Sequence, residues 1–236
     1  MNIGAQGSFV RIDVVRSAMK RDRRALIIDA GMQLFSRYGY RDVGVDDIME
    51  QCGLSTGSFY QHFSGKEAFY ESILTIMERD GIRLAERAVS RLNSPINKLK
   101  AIYRFVVLGV RQNPILRGVL LRDPRYIYPG MSTTDGPIHQ LRSRIEELIA
   151  EVIHTGSRRG MFRPGLYHDA SRLVIVMLDS LIARLDEPDV DALARDLLVM
   201  IQRGLRRVLR TRRKDERRDR RALQDELDPE WQQFPL

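Results

Sequence analysis

The sequence predicts an all-α protein, a small three-helix module followed by a larger helical domain. Three observations predict it. Apolar residues recur at i, i+3, i+4 and i+7 in one segment after another, no segment alternates with the period of 2 that a half-buried strand requires, and glycine or proline punctuates the segment ends. At 236 residues and 43% apolar composition, the chain can bury one core or two.

Residues 1–18 carry no clear period and are expected to form a flexible extension. Basic residues follow at Arg16, Lys20, Arg21, Arg23 and Arg24, a cluster that suits either a solvated helix start or an arm touching phosphate. From Asp22 to Tyr38 the set Ile27, Ala30, Gly31, Leu34, Phe35 and Tyr38 has helical spacing, and Gly39 is placed to cap the helix. Gly31, inside it, costs about 1 kcal/mol relative to alanine, which is tolerable where another helix packs close.

The stretch from Val45 to Phe63 organises the rest. Ile48 and Cys52 share a helical face before Gly53, and Leu54, Phe59 and Phe63 share one after it. Gly53 can take the positive φ that ends the first helix, and Ser55 is the expected N-cap of the second. Thr56, Gly57, Ser58, Gln61 and His62 then fall on an outer face with almost nothing apolar. A short helix, polar outward and held across a tight turn by a partner, is what the DNA major groove accepts.

Ser64-x-x-Glu67 reads as a capping box that opens a long helix through Ile73, Met77, Leu84 and Leu92, with Gly81 a possible bend. Further amphipathic segments cover 96–112 after Ser94-Pro95, then 114–121, 137–159, 168–185 and 190 to about 213. Between them, Asp123–Pro137 is dense in turn formers and reads as a loop or lid, and 160–165 as a second break. The predicted domains are therefore 1–18 (extension), 19–66 (helix-turn-helix), 67–210 (helical domain) and 211–236 (charged tail).

Residues 23–74, RRALIIDAGMQLFSRYGYRDVGVDDIMEQCGLSTGSFYQHFSGKEAFYESIL, resemble the N-terminal domain of TetR family transcriptional regulators. The likeness rests on the order and spacing of Ala30, Leu34, Phe35, Gly39, Tyr40, Val45, Ile48, Gly53, Ser55, Phe59, Tyr60, His62, Phe63, Lys66 and Glu67. It implies that Thr56, Ser58 and Gln61 face base edges, and that Tyr60, His62 and Lys66 hold the phosphate backbone. Gln61 has the amide that pairs with adenine, and Thr56 the methyl that meets thymine. For His62, capping of a neighbouring carbonyl is an equally simple role. Ser55, Gly57, Arg23 and Arg24 complete the candidate DNA-contacting set. The chain departs from the pattern at Val43 and Gly44, where a hydroxyl residue is usual, and at Met49, where a small one is usual at the helix crossing.

The resemblance also implies that the second domain forms a homodimer and encloses a small-molecule effector. Tyr103, Phe105, Tyr126, Met131 and Met177 are the candidate lining residues, although aromatics and methionines at helical spacing serve equally as core. Few charges flank them, so an apolar effector is expected. Leu173, Val176, Leu181, Leu197, Met200, Ile201 and Leu205 give the last two segments more apolar face than a lone hairpin needs, which suits a four-helix dimer interface.

The net charge of +8 favours polyanionic partners, but Arg203–Arg221 alone holds eleven Lys/Arg against three Asp/Glu, an excess equal to the whole chain's. Global charge therefore describes the tail, as a solvated extension or an added nucleic-acid contact, and does not carry the case for residues 19–66. The single cysteine excludes an intrachain disulfide, and no CxxC or HExxH spacing offers a metal site. His62, His139, His154 and His168 are scattered, so an enzyme is not expected and no cofactor is implied. With no signal-like or membrane-spanning run, the expected location is cytoplasmic. The expected partners are double-stranded DNA, a small-molecule effector of unknown identity and a second copy of the chain. The alternative is a nonspecific nucleic-acid-binding or membrane-surface protein that uses the basic tail.

Overall fold

The structure, a computed structural model, describes residues 23–132, 136, 138–162 and 170–205. The expected extension 1–18, Arg16, Lys20 and Arg21, and the tail 211–236 lie outside the described residues. Every regular element among the described residues is a helix: α1 (23–38), α2 (Val45–Cys52), α3 (Thr56–Tyr60), α4 (Lys66–Ser90), α5 (Pro95–Gln112), α6 (Pro114–Leu120), α7 (His139–Arg158), α8 (Ala170–Ile182) and α9 (Val190–Leu205). None of them is long and apolar enough to cross a membrane. The chain divides into two compact units. One runs as far as Met77 and adds Pro114–Pro137, and the other joins Glu78–Asn113 to the chain beyond Ile138.

In the first unit, glycine sets the helix ends. Gly39 (φ +84°) stops α1, its N–H donating to the Phe35 carbonyl at 2.9 Å, and Gly53 (φ +65°) stops α2 with its N–H on the Glu50 carbonyl at 3.0 Å. Both φ values lie where a Cβ is strained. Helix α2 starts at Gly44, whose N–H donates to the Asp47 carboxylate at 2.6 Å, the carboxylate half of a capping box. Helix α4 opens one residue later than the expected box, with the Phe69 N–H on the Gly65 carbonyl at 3.0 Å.

The core of this unit is aromatic. Phe35, Phe59, Phe69 and Tyr70 are fully buried, each worth about 2–3 kcal/mol of apolar burial. Phe69 meets Phe63 at 4.6 Å and Phe59 at 5.3 Å between ring centroids, both edge to face, and Phe35 meets Tyr70 edge to face at 5.0 Å. Gly31 is required by this packing, since a Cβ there would stand 2.4 Å from the tip of the Phe69 ring. Tyr38, placed on the apolar face by its spacing, instead lies exposed beneath the Arg37 guanidinium, 5.1 Å from its ring centroid.

The described residues of 123–137 form no regular element, as expected of a loop, but they do not stand free as a lid. The Arg125 carbonyl accepts from the N–H groups of Tyr40 (2.7 Å) and Arg41 (3.3 Å), and the Tyr126 carbonyl accepts from the Tyr70 hydroxyl (3.0 Å). Tyr128 donates to the Glu71 carboxylate and packs 5.7 Å from the Tyr40 ring, and Tyr126 lies so close to Gly118 of α6 that no Cβ fits there. This segment is a strap in the core of the first unit, held by aromatics that occupy specific slots.

In the second unit α5 packs against α7, α8 and α9, and α8 against α7 and α9. Ser94 caps α5 with Pro95 at its first position, as expected. The Glu78 carboxylate accepts from the N–H groups of Gln140 (2.7 Å) and Leu141 (3.2 Å), so a side chain of α4 caps α7, whose own preceding residue, Ile138, is held at φ +76°. Helix α4 runs unbroken through Gly81. That glycine lets Leu141 approach, with the leucine Cδ2 3.0 Å from where a Cβ would stand.

Candidate nucleic-acid interface

Helix α3 is only five residues long, so its direction is set by what it rests on. Phe59 anchors it in the aromatic core, and the Phe63 N–H returns to the Phe59 carbonyl at 3.0 Å, which carries the chain into α4. Ser55 occupies the N-cap with extended backbone, but its side chain makes no capping bond. Thr56, Gly57, Tyr60 and Gln61 face outward, Tyr60 with 59% of its surface exposed and its ring edge-to-face on Phe59 at 5.4 Å. Gln61 and His62 fall in the turn that follows α3, His62 being half-buried.

Ser58 does not join the outer face. It is 7% exposed, and its Oγ is buried without a hydrogen-bond partner, because it sits beside Phe59 on the side of α3 turned to the core. The expectation that Ser58 meets base edges is corrected on that ground. Thr56 has its hydroxyl committed, donating to the Asp46 carboxylate of α2 at 2.9 Å. Asp46 is the residue that sequence reasoning missed here. Its only signal is an acidic side chain in the first turn of α2, which helix-dipole stabilisation explains equally well.

Lys66 lies at the start of α4, half-buried. Its ammonium donates to the Arg41 carbonyl (3.4 Å) and stands 4.2 Å from the Tyr40 ring centroid. Burial pulls its pKa below the ordinary lysine value, against the opposing influence of Asp42 and Asp47. Arg23 and Arg24 are exposed at the first described turn of α1, and the Arg24 guanidinium lies 5.2 Å from the Phe63 ring centroid, which ties that basic end to the exit of α3. Met49 is buried in α2, and burial raises the pKa of the Cys52 thiol, which donates to the Leu26 carbonyl at 3.6 Å.

The five candidate effector-lining residues divide between the two units. Tyr126 and Met131 are core of the first unit, for the packing reasons given above, and of the five only Tyr103 borders the apolar cleft of the second unit. That cleft has about 10 Å³ of open space among Leu99, Ile102, Ile149, Val174 and Leu198, room for one water at most. The Tyr103 hydroxyl donates to the Ala194 carbonyl at 2.5 Å, and burial raises its pKa. Phe105 and Met177 are half-buried elsewhere on α5 and α8. The candidate dimer residues split by face. Leu173 (51%), Val176 (54%) and Met200 (55%) are exposed and Leu197 half-buried, whereas Leu181, Ile201 and Leu205 fill the unit's own core.

A short helix set across a glycine turn from its support, polar outward and bordered by lysine, arginine and tyrosine, defines a helix-turn-helix DNA-binding protein. Residues 27–73 match the family of bacterial regulatory proteins, tetR family. Two similar proteins of Bacillus subtilis (strain 168) are the uncharacterized HTH-type transcriptional regulators YuxN, 37% identical over 54 residues, 23% of this chain and 19% of that one, and YhgD, 24% identical over 146 residues, 62% of this chain and 75% of that one. The match therefore spans about a fifth of YuxN and three quarters of YhgD. Among solved structures, the fold is that of the transcriptional regulator FadR from Bacillus subtilis in complex with stearoyl-CoA, with TM-score 0.60 and 18% identity over 77% of this chain and 98% of that one. The N-terminal helix-turn-helix domain, residues 27–73, is that of TetR family transcriptional regulators.

Proposed function

We propose that the protein is a homodimeric transcriptional repressor that binds an inverted-repeat operator through α3 and is released by a small apolar molecule. The observation that carries this reading is the outward face of Thr56, Gly57, Tyr60 and Gln61, held on a fully buried aromatic core. A rigid support lets three or four side chains act at fixed positions in the groove. Lys66 has donors left over beyond its bond to Arg41, and with Tyr60, Arg23 and Arg24 it supplies contacts to phosphate.

The dimer is supported by the exposed leucine, valine and methionine of α8 and α9. Leu173 and Val176 lie one turn apart, and Leu193 and Met200 lie two turns apart on one stripe, all at least 40% exposed. Adjacent apolar stripes on two packed helices are what a four-helix interface buries. A two-fold dimer would set its recognition helices one DNA turn apart, about 34 Å. The effector would act by population shift, favouring a dimer state that no longer spans two adjacent grooves. The apolar cleft beside Tyr103 is the proposed entry point, and an effector must widen it by displacing side chains.

Selection of bound fragments from genomic DNA, repeated with extracted metabolites added, tests this. A palindrome released by one fraction is the expected result, and fragments without a shared motif would overturn it.

A further inference from the structure

The hydrogen bond between α2 and α3 fixes more than a rotamer. Thr56 Oγ donates its one hydrogen to the Asp46 carboxylate at 2.9 Å, and both side chains lie on the exposed face of the first unit. With that hydrogen committed, Thr56 keeps only lone pairs and its methyl to offer outward. The Asp46 carboxylate, when ionised, is acceptor only as well. The pair therefore presents acceptors and a methyl, with no donor between them. In the major groove, guanine shows two acceptors, adenine and cytosine each carry an amino donor, and thymine carries a methyl.

We propose that Asp46 is a specificity-determining residue that positions Thr56, so that the pair rejects guanine at the base it faces and accepts cytosine, adenine or thymine. The carboxylate also repels the backbone, so it weakens binding to every duplex while sharpening choice at one position. Gln61 and Tyr60 cannot supply this exclusion, since a glutamine amide and a phenol hydroxyl each carry a donor that guanine can meet. This inference rests on the reading of α3 as the groove-facing helix.

The test is selection from a random-sequence duplex pool with the wild-type protein and with Asp46→Ala, Asp46→Asn and Thr56→Val, each checked for helical content by circular dichroism. The wild type should exclude guanine at one position per half-site. Asp46→Ala frees the hydroxyl to donate, so guanine should rise there by about tenfold while other positions keep their preference. Asp46→Asn keeps an acceptor for Thr56 but adds an amide donor, so guanine should rise at that position here too, while affinity for all sequences rises. Thr56→Val keeps the methyl and removes the hydroxyl's lone pairs, leaving the Asp46 carboxylate as the one acceptor of the pair, so cytosine and adenine should fall relative to thymine at that position. Unchanged preference in both Asp46→Ala and Thr56→Val would overturn the assignment. A wild-type protein that selects no sequence at all would instead remove the reading of α3 on which it rests, a distinct outcome.

Discussion

Replacing Gly31 by alanine tests whether the aromatic core holds the recognition helix as rigidly as the packing implies. The new methyl would stand 2.4 Å and 2.5 Å from two ring carbons of Phe69 and 3.2 Å from the Ile73 Cδ1. Phe69 cannot swing away cheaply, because it is fully buried with the rings of Phe63, Phe59 and Phe35 at 4.6, 5.3 and 5.9 Å. Overpacking a filled core costs about 1–3 kcal/mol. Alanine recovers about 1 kcal/mol of helix propensity, so the net change should be a loss of up to about 2 kcal/mol. Gly109→Ala is the matched control, since Gly109 lies inside α5 with nothing within 4 Å of its missing Cβ. It should gain about 0.5–1 kcal/mol. Urea unfolding followed by near-ultraviolet circular dichroism, to which the packed tyrosines of the first unit contribute, reads both. Because Phe59 carries α3, Gly31→Ala should also weaken DNA binding. A Gly31→Ala protein stabilised as much as Gly109→Ala would refute the rigid packing.

Other consequences can be measured separately. Ser58→Ala removes a buried hydroxyl with no partner, and should raise stability by about 1 kcal/mol while leaving base preference unchanged, read by urea unfolding and duplex selection. Leu173→Asp with Met200→Asp places charge on the exposed stripe of α8 and α9, and should yield monomers in analytical ultracentrifugation that lose most operator affinity but remain helical. Lys66→Ala should weaken binding to all sites about equally and flatten the salt dependence by about one charge, read from affinities across a salt series. Its lowered pKa should bring the alkaline loss of this contact to a lower pH than that of an exposed lysine, in titrations against a DNA of fixed sequence.

Much of this architecture is legible in the sequence because the signals are local. Gly39 and Gly53 end helices through positive φ, and Gly31 marked a close helix contact before its partner was known to be Phe69. The helices of the second unit follow from apolar period and Ser94-Pro95. Partner choice is not local, and there the reading failed. Proline and glycine between 123 and 137 announce turns, but they say nothing of which core the intervening tyrosines fill. Tyr126 and Tyr128 bond to residues 56 or 57 positions away, so a lid was the natural expectation for what is a strap. Leu181 and Leu173 look alike because α8 is apolar around most of its circumference, and period alone cannot say which side faces its own core. Ser58 was assigned outward because α3 has too few residues to show a period. Asp46 gives no distinct signal, because acidic first turns are common.

The central claim is that the outward face of α3 reads DNA sequence. Base preference measured in parallel for the wild type, Gln61→Ala and Tyr60→Ala addresses it most directly. Gln61→Ala should change the preferred base at two positions related by two-fold symmetry, and Tyr60→Ala should lower affinity with preference retained. Identical preference in the wild type and Gln61→Ala, at full affinity, would contradict it.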